Sequence, residues 1–299
     1  MAKSTILLTG TGLVSKKLSV LLTKKGYQVN YLSRTNSADK NVYFWDYKKE
    51  YIEKEAIETA DYIIHLAGAN IAGKRWSKRR KEEIISSRVA TANLLYQQVK
   101  EINPNLKAFI SASATGYYGA ITSEQTFKET DESQGDFLGT TCNLWEKAAM
   151  QFNDLGVRTV TLRTGIVISK EGGVLEKMTP AVKKGIGPVM GSGMQYMPWI
   201  HIDDLCSMYL QAVETVKMIG PFNAVAPESV NNRDFMRALV NCMSRYAQLI
   251  HIPSFILKLF LGEMSAILLS GSKVSCEKIK STGFQFKYPD IKTALCHLE

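Results

Sequence analysis

A chain of 299 residues, 45% hydrophobic and 22% charged, can bury a sizeable core and has the make-up of a globular protein of one large domain or two unequal ones, which excludes a fibrous or disordered chain. Its formal net charge of +9 leaves polyanion binding to be weighed, while five cysteines without a CxxC pair and four scattered histidines argue against a disulfide framework or a zinc site and fit a reducing cytoplasm. No basic leader with a long apolar segment opens the chain, and the longest apolar stretch, residues 255–269, is interrupted by Lys258, Gly262 and Glu263, so neither export nor a membrane span is expected.

Residues 4–10, STILLTG, predict a strand running into a glycine turn. LSVLLTKKGY (18–27) has helical apolar spacing that ends at Gly26, a C-cap signal, and QVNYLSR (28–34) predicts a second strand. Together they make a unit of about 30 residues, the size of a βαβ crossover. DYIIHLAG (61–68) continues the alternation. KRWSKRRK (74–81) then holds six basic residues in eight; without aromatic interleaving or a recognition module, such a run reads better as the solvated first turns of a helix than as a nucleic-acid face. A long helix over 77–101, the strand KAFISAS (107–113), a helix at about 140–154 and RTVTLRTGIVIS (158–169) follow. Strands and helices alternating at this spacing predict an α/β protein built on a Rossmann-type doubly wound parallel sheet, whose ligands bind beyond the carboxyl ends of the strands. After about residue 170 the pattern loosens into a glycine-rich passage, and from residue 222 onward it reads as mainly helical, with residues 255–269 as one or two packed helices. The expected organisation is a Rossmann-type domain over 1–220 and a smaller, mainly helical C-terminal domain over 221–299 packed on it, with residues 170–205 contributing to the substrate side.

The first turn carries the first chemistry. A pyrophosphate needs backbone N–H groups aimed at it and no side chains in the way, and Gly10 and Gly12, between a predicted strand and helix, supply that permissiveness. Ser15 stands where a third glycine would permit close packing of helix on strand. At the end of the second strand an acidic residue would bond the ribose hydroxyls of NAD; here Ser33 and Arg34 suit a 2′-phosphate, so NADP (NADPH) is the expected cofactor.

With these residues in view, the chain resembles the atypical, epimerase-like branch of the extended short-chain dehydrogenase/reductases that carries a helical C-terminal domain of unknown function. The resemblance rests on TGTGLV (9–14), LSR (32–34), HLAGANIAGKRW (65–76), SSR (86–88), ISASATGYYG (110–119), GDFLGTTCNLWE (135–146), LRTGIVIS (162–169) and GSGMQYMPWIHIDDL (191–205), and continues through NAVAPESVNNRDF (223–235), LGEMSAILLSGSKV (261–274) and GFQFKYP (283–289). It implies cofactor contacts at Thr9, Gly10, Thr11, Gly12, Leu13 and Val14 in the turn, at Ser33 and Arg34 on the adenosine side, and at Leu66, Ala67 and Gly68 after the next strand. Arg88 is implied as a further contact, which gives the basic run before it the meaning of positive potential near a cofactor phosphate. Two departures stand out. The family turn usually reads TGGTGxIG, so this turn is one glycine short and ends in Ser15; fewer N–H donors and a helix pushed away by the serine are expected to cost about 1.5–3 kcal/mol per lost charge-assisted bond. The family's LAGEN reads LAGAN here, with Ala69 in place of a carboxylate.

Reductases and epimerases of the wider superfamily use a Ser/Thr to polarise the substrate oxygen, a Tyr to transfer its proton and a Lys to lower that tyrosine's pKa. Ser113 matches the serine. Aligned on Gly139 and Glu146, the places of the tyrosine and lysine hold Leu138 and Cys142, which can do neither job, an absence the branch shares. Tyr117 and Tyr118, close to Ser113, are the candidate replacement acids, against the alternative that both rings simply pack. His201, Asp203 and Asp204 suggest a proton relay, with helix capping and packing the favoured alternative. Arg163 suits either an anionic substrate or a nearby carboxylate. The sequence thus supports an NADP-binding, epimerase- or reductase-like protein with an unassigned small-molecule substrate and no metal, nucleic-acid or membrane partner, located in the cytoplasm and of undetermined oligomeric state. The alternative is a nucleotide-binding or sensing protein that keeps the fold without turnover.

Overall fold

The structure, a computed structural model, describes residues 4–243 and 246–296. Its main sheet comprises β1 (Thr5–Thr9), β2 (Gln28–Ser33), β3 (Val42–Asp46), β4 (Tyr51–Ile52), β5 (Tyr62–His65), β6 (Ala108–Ala114), β8 (Arg158–Thr164) and β13 (Gly220–Ala224), in the order β13-β8-β6-β5-β1-β2-β3-β4. All pairings are parallel except the β3–β4 edge. β1, TILLT, is buried at every position because helices cover both faces of the sheet, which selects continuous apolar runs over alternating ones. Its Ile6 and Leu8 meet Leu18 and Leu22 of α1 (Leu13–Lys24) and Leu205 and Met208 of α6 (Ile202–Glu214). Leu7 faces the opposite layer, packing with Ile57 of α2 (Lys54–Glu58), Leu95 of α3 (Lys78–Ile102) and Ala149 of α4 (Phe137–Met150).

Three smaller sheets join the C-terminal part to this core: β7 (Thr126–Phe127) with β15 (Lys273–Val274), β10 (Gly172–Gly173) with β9 (Ile166–Ser169) and β12 (Trp199–His201), and β11 (Ile186–Met190) with β14 (Gln248–Ile252). A separate apolar cluster of Val182, Val189, Trp199, Phe235, Leu239 and Leu295 fills the space among α5 (Val174–Lys183), α7 (Asn232–Met243) and the helix Ile291–Cys296.

Four local expectations change. The predicted strand over 158–169 breaks at Gly165 and its second half leaves the main sheet to pair with β12; glycine permits the close approach there, since a Cβ would lie 2.5 Å from the Pro198 carbonyl oxygen. The mainly helical tail also contains β14, which pairs in parallel with β11 and ties the tail back to the glycine-rich passage. Residues 255–269 fold as α8 (Ser254–Leu261), a 3-10 turn and a short helix, and α8 leaves Phe255, Leu259 and Phe260 exposed rather than packed. The cysteines are not all apart: Cys242 and Cys296 form a disulfide across 54 residues, brought together by the packing of α7 on the helix Ile291–Cys296, while Cys142, Cys206 and Cys276 are free and buried. Of the four histidines, His297 lies outside the described residues.

Candidate functional site

From β1 the chain winds outward through β2 and β3, and from β5 it winds the other way through β6 and β8, so the loops after β1 and β5 part and leave a crevice. Gly10, at φ +87°, turns the chain there in a conformation that favours glycine, and a Cβ on it would sit 3.5 Å from Ala67 Cα. Gly12 is the N-cap of α1, with no side-chain capping bond and no acidic residue in the first turn, so the first N–H groups of the helix remain for an anion. A cavity of about 260 Å³ opens at this point, lined by Gly10, Thr11 and Gly12, by Ser33 and Arg34, and by Leu66, Ala67 and Gly68. Eight of the residues singled out in the sequence thus meet at one crevice. The bare turn, the free helix N-terminus and, at the β2 end, the Arg34 cation, which makes no ion pair among the described residues, suit the pyrophosphate and phosphorylated ribose of a dinucleotide.

Thr9, Leu13 and Val14 serve beneath this crevice rather than on its lining. The buried Thr9 Oγ1 accepts from the N–H groups of Leu66 (3.0 Å) and Ala67 (3.1 Å) and lies 2.8 Å from His65 Nδ1, which fixes the β5 turn against β1. Leu13 and Val14 are half-buried against the apolar core. His65 also meets Thr91 of α3 through Nε2 at 3.2 Å, and burial lowers its pKa to about 4. Trp45, Tyr47, Glu83, Ser87 and Thr91 line the cavity as well. Their sequence surroundings show only a strand and a helix, without a local signal for them.

Arg88 brings its guanidinium against Gly68, where a Cβ would lie 3.0 Å from Cζ, and over the Trp145 ring of α4 at 4.9 Å; its Nη1 donates to the Ile84 carbonyl. Among the described residues no carboxylate pairs with it, and burial lowers its pKa. A guanidinium therefore stands between the β5 turn and the face of α4 that carries Cys142 in place of a lysine.

Ser15 does not push α1 off the sheet. With Leu18 and Leu22 it forms the buried stripe of the helix, and its small side chain fits there, although its hydroxyl finds no partner. The missing glycine leaves the turn short, so the helix begins at Leu13, directly after Gly12.

Behind the crevice lies a buried polar network. Arg163 of β8 meets Glu146 of α4 through Nε (2.8 Å) and Nη2 (2.9 Å), so it pairs with a carboxylate instead of facing a substrate. Burial disfavours the charge on Arg163, yet Glu146 outweighs this and holds its pKa above the ordinary value. The Ser113 hydroxyl donates to Glu146 Oε1 at 2.6 Å, so its proton is already engaged and the group does not serve as a donor to a substrate oxygen in this arrangement. Tyr118 donates to Asn223 Oδ1 (2.7 Å) and accepts from Arg163 Nη1 (3.0 Å), and burial pushes its pKa up to about 12. Of the three candidate catalytic hydroxyls, two are structural here. Tyr117 is half-buried with its ring 3.5 Å from Arg163 Cζ. Burial also raises Cys142 to about 12, so the thiol stays neutral.

The WIHIDDL segment caps and packs. His201, the N-cap of α6, accepts from Asp203 N at 3.2 Å, Asp203 pairs with Lys17 and Lys287, and Asp204 accepts from the N–H groups of Lys287 and Tyr288. The basic run bridges to the C-terminal part: Lys81 pairs with Glu263, and Arg75 packs at Gly262. Next to these contacts, a second cavity of about 820 Å³ lies between the N-terminus of α4 and the segment from α8 to Ser270.

A model of the NAD dependent epimerase/dehydratase family matches residues 6–226, and a model of a domain of unknown function, DUF1731, matches residues 252–298. An epimerase family protein of Staphylococcus aureus is 35% identical over 295 residues, covering 98% of both chains. The human epimerase family protein SDR39U1, crystallised with NADPH, is 30% identical over 98% of both chains, with a TM-score of 0.89. A nucleoside-diphosphate sugar epimerase from Corynebacterium glutamicum is 29% identical, with a TM-score of 0.81, over 99% of this chain and 58% of that one.

Proposed function

This chain belongs to the NAD dependent epimerase/dehydratase family, and from that membership we propose that it binds NADP(H) in the β1–β5 crevice and works as an epimerase- or reductase-like protein on a small molecule held between the sheet and the C-terminal segment. The observation that carries the reading is the shared cavity of Gly10, Gly12, Ser33 and Arg34. Its glycines leave room for a pyrophosphate at the α1 N-terminus, and its far end offers a hydroxyl and a guanidinium where NAD-binding sites place a carboxylate. NADPH bound to the similar human protein supports the same cofactor. Bound there, the cofactor supplies a hydride. The chain's own groups would hold the anion through the α1 N–H groups, hold the 2′-phosphate through Arg34, and place the Arg88 cation beside the β5 turn. On this reading the protein is cytoplasmic and has neither a nucleic-acid nor a membrane partner.

Titration of nucleotide-stripped protein with NADPH and NADH tests it. Arg34→Ala should weaken NADPH by about 10- to 100-fold, the loss expected for one charge-assisted bond, and leave NADH unchanged. Equal binding of the two nucleotides by the native chain, or an Arg34→Ala variant with native NADPH affinity, would overturn it.

The engaged protons of Ser113 and Tyr118, with Leu138 and Cys142 at the tyrosine and lysine places, favour a second reading: a protein that binds the nucleotide without turnover. Consumption of NADPH in the presence of a carbonyl compound separates the two.

A further inference from the structure

The cavity of about 820 Å³ is large for a small metabolite and falls in the range of sites that enclose a drug-sized body. One wall is Trp76, Phe137 and Leu138, the first two in edge contact at 4.7 Å; the opposite wall includes Ala266 and Leu269. Aligned with the wider superfamily, Leu138 falls at the place of the proton-donating tyrosine, and it lines this cavity.

The charges in this cleft do not suit a diphosphate. Lys258 is the lining cation among the described residues, set against two lining carboxylates, Asp136 and Glu263. Asp136 accepts from the N–H groups of Ala120 (2.5 Å) and Gly139 (2.8 Å), and Glu263 pairs with Lys81. Arg75 packs at Gly262 and does not line the cleft. A nucleoside diphosphate brings about two negative charges; this lining offers no guanidinium among the described residues, and the α4 N-terminus in its wall is already capped by the Asp136 carboxylate.

Ser254 and Lys258 of α8 line the cleft, and the same helix turns Phe255, Leu259 and Phe260 outward at 67%, 70% and 69% exposure. Apolar surface thus lies on the outside of α8, beyond the Ser254 and Lys258 edge of the cleft, where the tail of a ligand longer than the cleft is deep would rest.

We propose that this cleft binds an elongated apolar carbonyl compound, its aliphatic body between the Trp76–Phe137 and Ala266–Leu269 walls and its tail over α8, and that it does not take a nucleoside diphosphate sugar. The carbonyl, as hydride acceptor, rests on the reading of the β1–β5 crevice as an NADP(H) site; the apolar body does not.

Calorimetric titration of the full chain, with and without saturating NADPH, uses 2-octanone, 2-decanone, 2-dodecanone and UDP-glucose as probes. Affinity should rise about fourfold for each added methylene, the factor that burial of one CH₂ gives, and UDP-glucose should not bind. Leu269→Glu should abolish alkanone binding while NADPH affinity stays native, and Arg34→Ala should weaken NADPH about 10- to 100-fold while alkanone binding stays native. UDP-glucose binding, alkanone affinity independent of chain length, or a Leu269→Glu variant that binds alkanones as the native chain does would each overturn the proposal. Failure of NADPH to bind while the alkanone series holds removes the cofactor reading and leaves the apolar site standing.

Discussion

Single residues here are held by partners far away in the chain, and their substitutions should show it. Arg163 and Glu146 are both nearly inaccessible, so Arg163→Leu leaves a carboxylate buried without its counter-charge and is expected to cost about 3–5 kcal/mol in urea unfolding. Replacing both partners with apolar residues should recover a large part of that loss. His65 carries a pH signature. Its pKa of about 4 lies below the ordinary 6.5, so the unfolded chain binds the extra proton first as pH falls. Its contribution is fully present above pH 6.5 and disappears as pH drops toward 4, amounting to about 3 kcal/mol at most. Urea midpoints at pH 7 and pH 4 should therefore fall further for the native chain than for His65→Gln. That the glycine pair, Ser33 and Arg34 line one crevice was legible because it depends on local backbone and strand-end position. The roles of Ser113 and Tyr118 were not, since their hydrogen-bond partners lie 33 and 105 residues away.

At the level of elements, α1 shows how a departure from the usual pattern is absorbed. Ser15 falls on the Leu18–Leu22 stripe facing the sheet, and its hydroxyl is buried without a partner. Ser15→Ala removes that unsatisfied group and introduces the best helix former, so it should stabilise the fold by about 1 kcal/mol in urea titration, with NADPH affinity unchanged. An unchanged or lowered midpoint would mean that the hydroxyl has a partner after all. The start of α3 follows a different logic. Four basic residues at its first turn oppose the helix dipole, and what holds them is the Ser77 cap accepting from Arg80 N, the Arg80–Glu83 pair and the reach of Lys81 to Glu263. The charge run marked a helix start correctly, but its tie to the C-terminal segment depends on a contact 182 residues away.

Across the whole molecule, the C-terminal part is bound to the Rossmann-type core by strand pairs and by buried hydrogen bonds to Asp204, while the Cys242–Cys296 link ties two helices within that part. A crosslink spanning 54 residues restricts the unfolded chain by up to about 4 kcal/mol. Urea unfolding with dithiothreitol should show a lower midpoint than without it, and the Cys242→Ser variant should show no such difference. The large cleft also exists only at this scale, because one wall comes from the N-terminus of α4 and the other from residues after α8.

The sequence by itself determined the β1–turn–α1–β2 unit, the parallel alternation and the phosphate-suited ends of β1 and β2. Each of these follows from periodicity and backbone permissiveness within some thirty residues, where strand and helix repeats and glycine positions act locally. Tertiary structure alone decided which hydroxyl protons are engaged, which cysteines meet and that the Trp76–Phe137 and Ala266–Leu269 walls face one cleft. Those properties belong to groups that share no stretch of chain, and packing of the sheet, its helices and the C-terminal segment is what brings them within bonding distance.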